Sequence, residues 1–194
     1  MTDEERETLL EKANPFLKTI IMFTINTGLR KGEVQSLTWN KINLTQRIIY
    51  LTMTKGNKER EIPINDTVLE ILNSLKKTTN PQPADCVFGD SNGAQYGNWR
   101  KSFDNAVKRA KIQDFKFHDL RHTFASYLAM NGVDLNTIRE LLGHSTYEMT
   151  QRYTHLSMPH RHKAVETLDG VYATIAPQAV KLEKKKNVPR FVSN

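Results

Sequence analysis

The 194-residue chain has a single cysteine, Cys86, so it cannot close a disulfide within itself. It has no CxxC pair to hold zinc and no HExxH helix motif. No apolar run reaches membrane-spanning length. The opening "MTDEERETLL" is acidic and polar, unlike a secretory signal. Internal repeats are lacking, and only the lysine-rich end is of low complexity. These absences leave a soluble globular domain in a reducing cytoplasm as the expected class. Apolar residues at 38% and charged residues at 25% suit it, and the length allows one sizeable core.

Positive charge is also scarcer than the formal net of +7 suggests. Residues 181–194 carry Lys181, Lys184, Lys185, Lys186 and Arg190 against Glu183, a net of +4, which leaves +3 for the other 180. Overall basicity is then weak evidence for a nucleic-acid partner. A solvated, flexible tail over 177–194 accounts for it, and a phosphate-touching tail is the alternative.

The pattern of what is present predicts mostly helix. Thr2 and Glu5 have capping-box spacing ahead of Leu9 and Leu10. A second helix starts at Pro15 with Asn14 as cap, carries Phe16, Leu17, Ile20, Ile21, Phe23 and Ile25, and stops at Gly28. That much apolar surface belongs inside a core. "KGEVQSLTW" resumes helically. "RIIYLTM" (47–53) and "EREIPI" (59–64) read as a β-hairpin with Lys55 in its bend. Further helices are expected over 66–77, 98–111, 119–131, 134–143 and 160–176. Ser145 and Glu148 have the spacing of another capping box, which starts a short helix from Tyr147 to Tyr153. The class is mainly α, an α+β fold with a small antiparallel sheet.

Several side chains suit anion chemistry. Arg30 follows a glycine break, where its planar fork can meet a phosphate; an ordinary surface arginine is the plain alternative. His118 and Arg121 are three apart at a helix start, so both can address one ligand near the positive end of the helix. His118 and His122 could instead share a zinc, with His144, His155 or Asp119 as third ligand. His144 stands between two helices, where packing is the common role. Lys55 alone is a turn lysine. Tyr153 lies nine residues after His144. A tyrosine hydroxyl is a poor nucleophile unless cations surround it; a packed helix tyrosine is the plain reading.

Taken in order, Arg30, Lys55, His118, Arg121, His144 and Tyr153 form a set suited to one phosphodiester. The stretches "TGLRKGEVQSL", "TKGNKEREIPI", "HDLRHTFASYLAMNG" and "LLGHSTYEMTQRYTHL" also resemble, in order and spacing, the tyrosine recombinase family of phage integrases and Xer-type recombinases. The resemblance spans about residues 1–157. It implies a catalytic domain over 1–176 that works without metal, ATP or cofactor. In that family's chemistry Tyr153 attacks a DNA phosphorus to form a 3′-phosphotyrosine, and the 5′-hydroxyl leaves to attack another strand. Arg30 and Arg121 would clamp the non-bridging oxygens, and Lys55 would protonate the leaving oxygen. His144 would bond a phosphate oxygen and His118 would assist proton transfer near Tyr153. Glu33 would orient the cluster; His122 and His155 are expected to be structural.

The implied partner is double-stranded DNA at a recombination site, engaged as a homo-tetramer by the full-length protein in the cytoplasm, at the bacterial nucleoid. The family's N-terminal core-binding domain is expected to be absent from this chain. Rival readings are a type IB topoisomerase-like nicking enzyme, a DNA-binding regulator, and a metal phosphohydrolase using His118, Asp119 and His122. Between the two tyrosines, the nine-residue step from His144, read with Arg30, Lys55, His118 and Arg121, picks Tyr153. Six residues turn a helix by about 600°, so Tyr147 and Tyr153 should point about 120° apart and only one can face the cations.

Overall fold

The computed structural model describes residues 1–52, 59–97, 99–156 and 165–168. Met1–Met158 form one compact unit and Pro159–Asn194 a second. In the second, residues 165–168 are helical. The rest of the helix expected over 160–176, the domain edge at 176, the basic tail and the hairpin bend with Lys55 lie outside the described residues.

The first unit begins with α1 (Asp3–Lys12), whose capping box forms: Glu5 N donates to Thr2 Oγ1 at 3.1 Å and Thr2 N to Glu5 Oε2 at 2.7 Å. In α2 (Pro15–Thr27) the Asn14 carboxamide accepts from Leu17 N at 2.8 Å, and Gly28 ends the helix at φ 65°. Leu17, Ile20, Ile21 and Phe23 are fully buried, and α2 packs against both α4 (Asp66–Thr79) and α6 (Phe117–Met130). The high apolar content of α2 thus reflects a central position. Its buried threonines, Thr24 and Thr27, donate to the carbonyls one turn back, which satisfies their hydroxyls without an outside partner.

α3 (Lys31–Ser36) is shorter than the sequence suggests, because the chain turns through a 3-10 segment at Trp39–Lys41. The sheet has order β1-β2-β3 and is antiparallel throughout, from β1 (Ile42–Asn43), β2 (Ile48–Thr52) and β3 (Glu59–Pro63). The two-residue β1 had no signal in the sequence. In β3 burial alternates strictly: Arg60 and Ile62 face inward while Glu59, Glu61 and Pro63 are exposed. An arginine therefore occupies a core-facing slot.

α5 is Arg100–Arg109 and α7 is Leu135–Leu142, the latter capped by Asp134 and ended by Gly143 at φ 59°, as its sequence signals predict. The main core holds a T-shaped Phe23–Phe88 pair and the Phe117 ring in contact with those of Trp99 and Phe103. A smaller cluster joins α6 and α7: Phe124, Ala125, Ala129, Ile138, Leu142 and Tyr153.

Two expectations change. α6 starts at Phe117, so Asp119 sits in its first turn and accepts from Lys116 N at 2.7 Å. The capping box at Ser145 does not form: α8 is only Glu148–Gln151, and the Ser145 hydroxyl points to Met149 Sδ. Tyr147 precedes that helix and Tyr153 follows it, so a common helical rotation does not relate them.

Gly28 offers a stability test. A Cβ there would lie 2.5 Å from the Phe124 ring at a positive φ, whereas one at Gly32 meets nothing within 4 Å. Gly28→Ala should lower the unfolding free energy by about 2–4 kcal/mol. Gly32→Ala should leave it unchanged or raise it by about 0.5 kcal/mol. Urea denaturation of the two variants reads both.

Candidate active site

The last carbonyls of a helix have no partner inside it. At the end of α7 these belong to Leu142 and Gly143, and three arginines from three other elements meet them. Arg121, on α6, donates to Leu142 O and, at 2.7 Å, to Gly28 O. Arg60, from β3, also donates to Leu142 O. Arg30, the residue before α3, donates to Gly143 O at 3.2 Å. Glu33 ties two of them together: Oε1 is 2.9 Å from Arg30 Nη1 and Oε2 is 2.8 Å from Arg60 Nη2. Oε2 also accepts from Arg30 N at 2.7 Å.

One carboxylate among three guanidiniums leaves an excess of positive charge in a poorly hydrated place. Burial, then Arg30 and Arg60, push Arg121 down to about 9, so it stays cationic at neutral pH. Arg60 is lowered chiefly by burial, with Glu33 opposing. Arg121 and Arg60 are 2% and 6% exposed, while the Arg30 side chain is 39% exposed and can meet an incoming anion.

His144 follows Gly143, and its Nδ1 is 2.9 Å from the buried Thr150 hydroxyl. Burial, then Arg121 and Arg30, push its pKa down to about 4, so it is neutral at pH 7. It therefore acts as a hydrogen-bonding group and adds no cation.

Tyr153 is 4% exposed, against 42% for Tyr147. Its hydroxyl lies 2.5 Å from His122 Nδ1. His118, one turn earlier on α6 and exposed, packs its ring perpendicular to that of His122 with centroids 4.8 Å apart. The expectation that cations lower the tyrosine does not hold at rest. Burial raises its pKa, and Arg152 and Arg121 offset this only in part. Burial comes first for His118 and His122 as well, lowering both, with Arg121 next for the former and His118 next for the latter. Asp119, a candidate metal ligand by sequence, is engaged in its helix cap.

Residues 1–160 match the phage integrase family. The chain belongs to that family. It is 30% identical over 190 residues to the integrase of Salmonella phage P22, covering 89% of this chain and 48% of that protein. It is 34% identical over 148 residues to the tyrosine recombinase XerD of Staphylococcus saprophyticus, covering 72% and 50%. The chain thus spans about half the length of these relatives. Among solved structures, the catalytic domain of bacteriophage HP1 integrase superposes with a TM-score of 0.67 at 34% identity, covering 86% of this chain and 92% of that one.

In this integrase-family domain, Arg30, Glu33, Arg121 and His144 converge at the end of α7, and Tyr153 joins the same α6–α7 cluster. Lys55 lies outside the described residues. Arg60 escaped the sequence reading, yet the two-residue period of "EREIPI" places it on the side of Ile62 and Ile64. His122, read as structural, holds the nearest polar atom to the tyrosine hydroxyl.

Removing Glu33 should expose the imbalance. Glu33→Gln strips the buried Arg60 of its counter-charge and should cost about 3 kcal/mol in urea denaturation, and adding Arg60→Met should recover most of it. Stability should also fall with acid. Histidines held below 6.5 bind protons more readily unfolded, so it is full above pH 6.5 and declines towards pH 4. Following the urea midpoint across this range in His144→Gln should show a shallower decline.

Proposed function

We propose that this domain is the catalytic part of a site-specific DNA recombinase, with Tyr153 as nucleophile. The observation that carries the reading is a buried tyrosine hydroxyl in the α6–α7 cluster whose helix end also gathers Arg30, Arg60 and Arg121 around one carboxylate. A scissile phosphate would bring negative charge to that excess. Arg30 and Arg121 would stabilise its non-bridging oxygens as the five-coordinate transition state forms. Neutral His144, with Nδ1 accepting from Thr150, would donate from Nε2 to a phosphate oxygen. Lys55 would protonate the departing 5′-oxygen, and His118 would assist proton movement near Tyr153. Glu33 would hold the arginines without reacting.

The phosphotyrosine bond would conserve the energy of the broken phosphodiester, so strand exchange and religation would need no ATP. The partner is duplex DNA at a recombination site. Synapsis would use a homo-tetramer of the full-length protein in the bacterial cytoplasm, associated with the nucleoid.

A nicked duplex carrying the site, which traps the covalent state, tests this in the full-length parent protein. An adduct should appear on a denaturing gel, equally in the presence of EDTA. Tyr153→Phe should abolish it and Tyr147→Phe should keep it. Adduct surviving Tyr153→Phe would sink the assignment. A two-site assay then separates strand exchange from nicking and resealing.

A further inference from the structure

We propose that His122 is the catalytic base that takes the proton from Tyr153. The inference rests on Tyr153 being the nucleophile and concerns how that hydroxyl is activated. Burial makes the resting hydroxyl a proton carrier, so attack needs an acceptor within direct reach. Nδ1 of His122 is 2.5 Å from the Tyr153 hydroxyl oxygen, close enough to receive its proton directly. The other nearby groups are placed for different work. His144 Nδ1 faces Thr150. Arg121, like Arg152, is a cation with no lone pair to offer. His118 meets the ring of His122 edge-to-face.

The charges around His122 suit a base at neutral pH. On its own helix it faces His118, Asp119 and Arg121; from beyond α8 it faces Arg152 and Tyr153, and from beyond α7, His144. The net field is cationic and burial adds to it, so the imidazole rests neutral and free to accept. It also borders a cavity of about 570 Å³ that Asp3, Asp114 and Asp119 help to line.

The step balances. As the Tyr153 Oη–P bond forms and the P–O5′ bond breaks, the Oη proton passes to His122 Nδ1, leaving an imidazolium. The 5′-oxygen gains its own proton from Lys55 and departs as a hydroxyl. Rejoining reverses both transfers. Accepting at Nδ1 requires the Nε2–H tautomer of His122.

The rate of adduct formation in a single turnover, measured from pH 5 to pH 8.5 with the full-length parent on the nicked duplex, tests this. The wild type should show an acid limb with its midpoint below 6.5. His122→Asn should bind DNA normally, react about 100-fold more slowly, and replace that limb with a rise towards alkaline pH. His118→Asn should slow the reaction, because that residue assists proton movement, and still keep the acid limb. A His122→Asn rate within threefold of wild type, with the acid limb intact, overturns the proposal. Nitrogen NMR of the wild-type chain at pH 7 gives a second test that needs no variant: a protonated Nδ1 on His122 overturns it, and an unprotonated Nδ1 supports it. Failure of the wild type to form any Tyr153 adduct would instead refute the nucleophile assignment, and the NMR result would still decide whether His122 is poised to accept.

Discussion

The end of α7 is the point on which the site depends. A helix leaves its final carbonyls unsatisfied and its C-terminus partly negative. Here Leu142 O and Gly143 O are satisfied by guanidiniums from α6, from β3 and from the start of α3. Parts of the chain separated by more than a hundred residues are thus fixed to one turn of backbone. Gly143 makes this possible. Its left-handed φ lets the chain leave the helix, and a Cβ there would collide with the Arg60 guanidinium.

That arrangement concentrates positive charge at one end of α7. The chain outside its basic end carries little excess charge, but three arginines gather near one carboxylate, two of them buried and Arg30 open to solvent. Burial magnifies the field they produce. The same burial keeps the neighbouring histidines neutral and the tyrosine protonated, so the resting site combines fixed cations with neutral proton carriers. Under the proposed function this division would serve displacement at a phosphate: fixed cations would stabilise charge, and the titrating groups would carry protons.

Much of the local structure was legible. Thr2, Asn14 and Asp134 cap their helices through bonds between near neighbours, and Gly28 and Gly143 stop theirs by taking positive φ. The capping box at Ser145 failed although its spacing was right. The segment between α7 and Tyr153 is held instead by the His144–Thr150 bond and by packing of Tyr153 on α6. Arg60 was hidden for a related reason. Charged residues usually face water, and only the carbonyl and carboxylate waiting inside make its buried slot tolerable.

By itself the sequence determined the class, most helices and the hairpin, and the order of groups that marks the family. These depend on propensities, caps and spacings that act within a few residues. Tertiary structure decided which atoms meet. It placed Arg60 among the site arginines, put His122 rather than His118 on the Tyr153 hydroxyl, and separated a buried Tyr153 from an exposed Tyr147. Those outcomes follow from burial and from contacts between α6, α7 and β3, which no local pattern records.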